Sequence, residues 1–187
     1  MTALLEVLEI RERVSPLSVA EYHQLGEFNE NGRRTELIQG IVIEKMSKSP
    51  LHYTMIERVR EILAGQIQPG WTLRQEGPLT LADSEPEPDV AIVLGPRGTY
   101  DLAHPTTAEL AVEVAVTSLE IDRVKALIYA EAGVKEYWIV CPEEKQVEVY
   151  RQPGAKGYAE RTMMAPPAVI ECAALPGIHV DLATLFA

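Results

Sequence analysis

Two cysteines, two phenylalanines and two tryptophans are all that 187 residues hold of those types, and the bases fall short of the acids by 17 to 28. Each shortage excludes something. Cys141 and Cys172 lie far apart with no CxxC spacing, so neither a disulfide framework nor a zinc site is indicated, and buried free thiols are expected. His23, His52, His104 and His179 show no HxxxH-type ligand spacing, and only His52, in the first turn of a predicted helix, invites a test. No apolar run approaches the roughly 20 residues of a membrane helix. The opening MTALLEVLEIRERV mixes acids and bases where a signal peptide is basic and then apolar, which makes a cytoplasmic location the expectation. There is no GxxxxGK loop for a nucleotide-driven motor. The net charge of -11 repels nucleic acid on average, so any such binding needs a local patch or a metal. Lys48, Arg58, Arg60 and Arg123 would have to gather on one side to make that patch.

What is present reads as one globular domain. With 47% hydrophobic and 24% charged residues, a single domain over 15–187 behind a tail of 1–14 is expected. Ser18 and Glu21 fit a capping box opening a short helix, VAEYHQL, that stops before the turn-rich ENGRR. RTELIQGIVIEKM alternates about Gly40 like a hairpin. Ser49 and Pro50 suit the first positions of a helix in which Met55, Ile56, Val59, Ile62, Leu63 and Ile67 recur at helical spacing up to Pro69-Gly70. WTLRQEGPLTLA, DVAIVL and LAVEVAV then read as strands. A helix follows, with Thr117 and Glu120 as a second capping box, Ile121, Val124 and Ile128 as its buried stripe, and Gly133 at its C-terminal cap. EYWIVC and VEVYR are two further strands, and ALPGIHVDLATLF adds a short strand and a final helix. The order describes an α/β domain with a mixed central β-sheet flanked by helices, preceded by an N-terminal helix and β-hairpin.

Chemistry concentrates on two of these strands. In LAVEVAV, alternation puts Glu113 on the face of Ala111 and Ala115, with room beside it, opposite Leu110, Val112 and Val114. In SEPEPDVAIVL the prolines enforce an extended chain and Pro88 cannot join a ladder, so the strand begins near Asp89. If the two strands pair antiparallel, Asp89 and Glu113 are neighbours. Two such carboxylates suit a hard divalent cation such as magnesium, whose charge would offset burial of Glu113 and whose bound water would be a nucleophile toward a phosphodiester. Lys125 borders the stripe of the next helix, so its ammonium can reach the same place.

Those segments carry a family likeness. PEPDVAIV, LAVEV, SLEIDRVKALIYAEAGVKEYWIV and VEVY, with TELIQG before and LPG after, resemble a bacterial restriction endonuclease-like family of the PD-(D/E)XK nuclease superfamily, from about Ser15 onward. The likeness implies a restriction endonuclease-like core and a metal-dependent endonuclease acting on DNA with Mg2+ or Mn2+. Asp89 and Glu113 stand at the positions of its metal ligands, Lys125 at that of a lysine moved to the helix, and Glu36 at that of an acid completing the site. The superfamily usually has its lysine two residues after the second acid, where this chain has Ala115. AVTS stands for a more usual Leu-Ser-Pro-Ser type of segment, and Cys141 for an aspartate. A homodimer would match the two-fold symmetry of a duplex.

Each of these residues also has an ordinary reading. Glu113 suits a solvated sheet face, Asp89 turn punctuation, Lys125 a snorkelling side chain, and Glu36 a surface pair with Arg33, Arg34 or Lys45. Glu85 and Glu87 read as solvated acids. Two rival functions stay open: an inactive nuclease-fold scaffold for partner binding, and a phosphodiesterase acting on RNA or a small phosphodiester, which fits an acidic surface better.

Overall fold

The computed structural model describes residues 8–11, 13–27, 34–45 and 48–187. Six strands form the central sheet in the order β3 (Trp71–Gln75), β4 (Val90–Leu94), β5 (Leu110–Val114), β6 (Glu136–Cys141), β7 (Gln146–Gly154) and β8 (Gly157–Met164). Every neighbouring pair is antiparallel except β5 and β6. A parallel step needs a crossover, and α4 (Leu119–Glu131) supplies it. The sheet is therefore mixed, as the sequence predicts.

Strand alternation divides the core between the two faces. On one, α3 (Pro50–Ala64) lays Met55, Ile56, Val59 and Leu63 over Val90, Ile92, Leu110, Val112 and Val114. On the other, Ala126, Ile128 and Tyr129 of α4 pack with Val93, Ala111, Ala115 and Ile139. Ser49 caps α3, its Oγ accepting from His52 N at 3.2 Å, with Pro50 at the first position. Ahead of these, α1 (Leu8–Arg11) lies within the expected tail, and α2 (Val19–Glu27) opens on the foreseen capping box, Ser18 N donating to Glu21 Oε2 at 2.8 Å. Residues 30–33 of ENGRR, including Arg33, and Met46 at the end of the predicted hairpin lie outside the described residues.

The hairpin of β1 (Thr35–Ile38) and β2 (Ile41–Glu44) turns at Gln39-Gly40, both at positive φ (48° and 74°), the backbone of a tight two-residue hairpin turn. Gly40 N donates to Asp83 O at 2.9 Å, Gln39 N to Ser84 Oγ at 2.8 Å, and Leu17 N to Gly40 O at 2.9 Å. A Cβ at Gly40 would collide with Pro16.

Several readings of the sequence need correction. Glu85 is not a solvated acid but is buried, bonded to His23 and Thr80. The buried face of α4 is Asp122, Lys125, Ala126, Ile128, Tyr129 and Ala130, while Ile121 and Val124 are exposed, so the stripe is one residue out of phase with the apolar pattern. The cap of α4 is Ser118 rather than Thr117, and its Oγ donates to Asp122 Oδ2 at 2.6 Å instead of capping a backbone amide. WTLRQEGPLTLA is a strand only as far as Gln75, because Glu76 takes a left-handed φ of 49° and leaves the ladder. Strand β8 and the short pair β9 (Val169–Glu171) and β10 (His179–Asp181) complete the sheets, the last running into α5 (Leu182–Leu185). Cys141 and Cys172 are free and buried, which pushes their thiols up to about 11 and about 12. Among the described residues no helix is long and apolar enough to cross a membrane.

Glu136 ties the C-terminal segment to the sheet. Its fully buried carboxylate accepts from Trp138 Nε1 (2.8 Å), Arg151 Nη2 (3.0 Å), Ala173 N (2.7 Å) and Ala174 N (3.2 Å). Removing one member of such a set strands the others in a dry interior. Glu136→Ala is expected to lose about 3 kcal/mol in urea unfolding, and Glu136→Gln distinctly less.

Candidate active site

Asp89 and Glu113 meet because β4 and β5 pair antiparallel with Val90 opposite Val112, which makes the next pair of positions outward Asp89 and Glu113. Asp89 N donates to Glu113 Oε2 at 3.3 Å, and Val114 N donates to Asp89 Oδ2 at 2.8 Å. Pro88 precedes the ladder, and the chain enters it at Val90. Both carboxylates are buried, Glu113 at 4% exposure, so the solvated-face reading of Glu113 does not hold.

Lys125 joins them from α4. Its Nζ lies 2.9 Å from Glu113 Oε1, 2.8 Å from Glu36 Oε2 and 3.8 Å from Asp122 Oδ1, and the residue is 4% exposed rather than snorkelling. Glu36 comes from β1, where its other oxygen accepts from Glu87 N at 2.8 Å and pairs with Lys45 Nζ at 3.1 Å. It does not pair with Arg34, which binds Glu76 and Glu87. All four residues singled out from the sequence therefore share one centre. His52 reaches it too, with Nε2 3.3 Å from Asp89 Oδ2 and a buried Nδ1 that has no partner among the described residues.

Two participants were missed: Tyr129, whose OH donates to Glu113 Oε1 at 3.0 Å, and Asp122, which faces Lys125. Lys45, read only as a surface partner of Glu36, does pair with it and also reaches Glu87. Asp122 and Tyr129 lie three residues before and four after Lys125, the same-face spacing of a helix, so placing Lys125 at the centre of the buried face would have found both.

Electrostatics show an excess of negative charge. Burial raises the Glu113 carboxyl to about 8; Lys125 opposes this, while Asp89, Asp122 and Glu36 reinforce it. Burial likewise raises Asp122, whereas for Glu36 it is outweighed by Lys125 and Lys45, which hold that carboxyl below its ordinary value. Burial works against the Lys125 ammonium, but Glu113, Glu36 and Asp122 keep it charged. Glu113 divides its oxygens: Oε1 is held by Lys125 and Tyr129, and Oε2 faces the Asp89 amide. The acid pair thus has hard oxygen donors and too little positive charge beside it, which fits a hydrated divalent cation taking two protein carboxylates. Among the described residues, no group of three or more His, Cys, Asp or Glu side chains is placed to hold a metal ion. The cleft over the acid pair is small, with a cavity volume of about 80 Å³, and is lined by Lys45, Lys48, His52, Asp89, Glu113 and Lys125 among others.

The mixed sheet flanked by helices, with an acid pair across adjacent antiparallel strands, agrees with the restriction endonuclease-like class of the PD-(D/E)XK superfamily, although the lysine here comes from the crossover helix instead of the strand. The chain belongs to the Uma2 family, described as "Putative restriction endonuclease", whose model matches residues 19–183. A solved structure of "a putative nuclease belonging to DUF820" from Anabaena variabilis ATCC 29413 is similar in fold, with a TM-score of 0.73 at 19% identity, covering 91% of this chain and 98% of that one. Among curated proteins there is no match.

Lys125→Met would leave Glu113 and Glu36 buried without their shared cation. Urea unfolding is expected to show a loss of about 3–5 kcal/mol. Adding Glu113→Gln should recover part of it, whereas Tyr129→Phe alone should cost about 1 kcal/mol.

Proposed function

We propose that the protein is a metal-dependent endonuclease that hydrolyses phosphodiester bonds in DNA. The observation that supports it best is the convergence of Asp89 and Glu113 across β4 and β5, with Lys125 and Tyr129 fixing the far oxygen of Glu113. Magnesium or manganese held by Asp89 and Glu113 would supply Lewis-acid stabilisation of a phosphoryl oxygen and a more acidic water. The chain's own residues do the positioning. Val114 N and His52 Nε2 both address Asp89 Oδ2, so neither contact occupies Oδ1. Glu36 anchors Lys125 from the hairpin, and Lys125 adds positive potential inside the cleft where phosphate charge would develop. A two-fold dimer of this chain, presenting two such sites, would cut both strands of a duplex.

The bases named from the sequence do not gather. Arg58 is bound to the C-terminal carbonyls of Leu185 and Ala187, Arg60 to Glu57, and Arg123 to Glu120 and Glu148, leaving only Lys48 at the cleft. That dispersal favours, as a second reading, a small phosphodiester or RNA as substrate.

Isothermal titration of magnesium and manganese, paired with plasmid nicking, tests both readings. Asp89→Ala and Glu113→Ala should abolish metal binding and lower nicking by about 100-fold or more. Absence of metal binding by the wild type would overturn the proposal in favour of an inactive scaffold. Metal-dependent hydrolysis of a chromogenic phosphodiester or RNA without nicking would favour the second reading.

A further inference from the structure

A different set of bases lies together at the mouth of the cleft. Arg34 precedes β1, Lys45 follows β2, and Lys48 lies just before the cap of α3; all three line the cleft. Two carboxylates from another part of the chain hold them in a row. Glu76 Oε1 is shared by Lys48 Nζ and by Arg34 Nη1 at 2.8 Å. Glu87 Oε2 is shared by Arg34 Nη2 at 2.9 Å and Lys45 Nζ at 3.1 Å. Lys45 then passes to Glu36 and Glu36 to Lys125, so cations and anions alternate from the solvent edge to Glu113.

Backbone contacts pin this row to the centre. Lys45 N donates to Arg34 O at 2.9 Å, Glu76 N to Asp89 O at 3.1 Å, and Glu87 N to Glu36 Oε1 at 2.8 Å. The outer part remains open, with the Arg34 side chain 52% exposed and those of Glu76 and Glu87 about a quarter exposed. Each outer carboxylate places one anionic oxygen between two cations, the arrangement that a backbone phosphate oxygen also satisfies.

We propose that Lys48, Arg34 and Lys45 are the docking rim for the phosphate backbone of duplex DNA, and that Glu76 and Glu87 hold the phosphate positions until the duplex displaces them. The proposal rests on the reading of the chain as a DNA endonuclease. It accounts for how a chain of net charge -11 can still meet a phosphate backbone: three cations line the cleft, neutralised by Glu76 and Glu87 until the duplex displaces those carboxylates, with Glu44 also lining the wall. The internal acids also suppress loose attachment to any polyanion, because only a ligand whose anionic oxygens match the row replaces the ion pairs that it breaks.

The rim makes the acids and the bases act in opposite directions, which a purely structural ion-pair network would not. Fluorescence anisotropy of a fluorescein-labelled DNA duplex, in chelator and across a salt series, reads binding without cleavage. Glu76→Gln is expected to tighten binding several-fold. Arg34→Gln and Lys48→Gln should each weaken it about tenfold and flatten the log–log salt dependence by about 0.9 for each phosphate no longer neutralised. Arg161→Gln, a half-exposed base on β8 paired with Glu148, should leave binding unchanged and so separates the rim from overall charge. The proposal is overturned if Glu76→Gln fails to tighten binding, if the Arg34 and Lys48 variants bind as the wild type does, or if the wild type does not bind the duplex. Rim-dependent binding without metal-dependent nicking would sustain the rim and sink the endonuclease reading. Nicking indifferent to Arg34 and Lys48 would do the reverse.

Discussion

A single ammonium, dry and shared, organises this molecule. Lys125 cannot lie at 4% exposure unless carboxylates surround it, and those carboxylates come from three separate elements: Glu36 from the hairpin, Glu113 from the central strand and Asp122 from its own helix. The helix is therefore rotated to present Asp122, Lys125 and Tyr129 to the sheet, and Ile121 and Val124 are left facing water. Hydrophobic burial would favour the opposite rotation. At roughly 1.5–3 kcal/mol for each aliphatic side chain fully buried, exposing two is a substantial concession. It is smaller than the cost of an unpaired buried charge, so the ion pairs set the phase.

This is also where the sequence and the structure part. The sheet is legible because its strands announce themselves: Pro88 marks the entry to β4, and the alternation of LAVEVAV assigns Glu113 to the alanine face. The crossover helix is legible as a helix but not in rotation, since periodicity counts apolar residues and this helix turns on its polar ones. Lys45 reads from the sequence only as an ordinary surface partner of Glu36, and its bridging of Glu36 and Glu87 depends on the hairpin docking beside the Glu85–Pro88 segment, a contact with no local signal. Strand β8 escapes a sequence reading because GYAERTMM shows no clean apolar and polar alternation; it is a mostly exposed edge held by pairing with β7, with Arg161 paired to Glu148 and Glu160 bonded to Gln152.

Two faces of the sheet are stabilised by different physics. Beneath α3 the packing is mainly aliphatic, with Trp138 and Phe186 and the buried Glu136 carboxylate at its margin, while beneath α4 alanines make space for carboxylates and for a group of tyrosines in which Tyr129 and Tyr137 lie 4.9 Å apart. Tyr137 OH donates to Asp122 O at 2.9 Å, and Tyr129 OH to Glu113, so these rings carry the hydrogen bonds of the centre into the core. Burial and the neighbouring acids hold both phenols well above their ordinary value, which keeps them donors. One sheet thus carries a mainly apolar core on one face and a buried polar centre on the other.

The hairpin turn at Gly40 extends that division over a distance. Its tip is clamped by Pro16, Leu17 and Asp83, and its other end presents Glu36, Arg34 and Lys45. At about 3.4 Å per residue, four strand residues make a stiff arm on the order of 10 Å long. A side chain at the tip would tilt the whole arm while leaving each charged residue in the sequence unchanged. Among descendants of this chain, a lineage could fall silent through that one glycine and still read as intact at every charged position of the cleft.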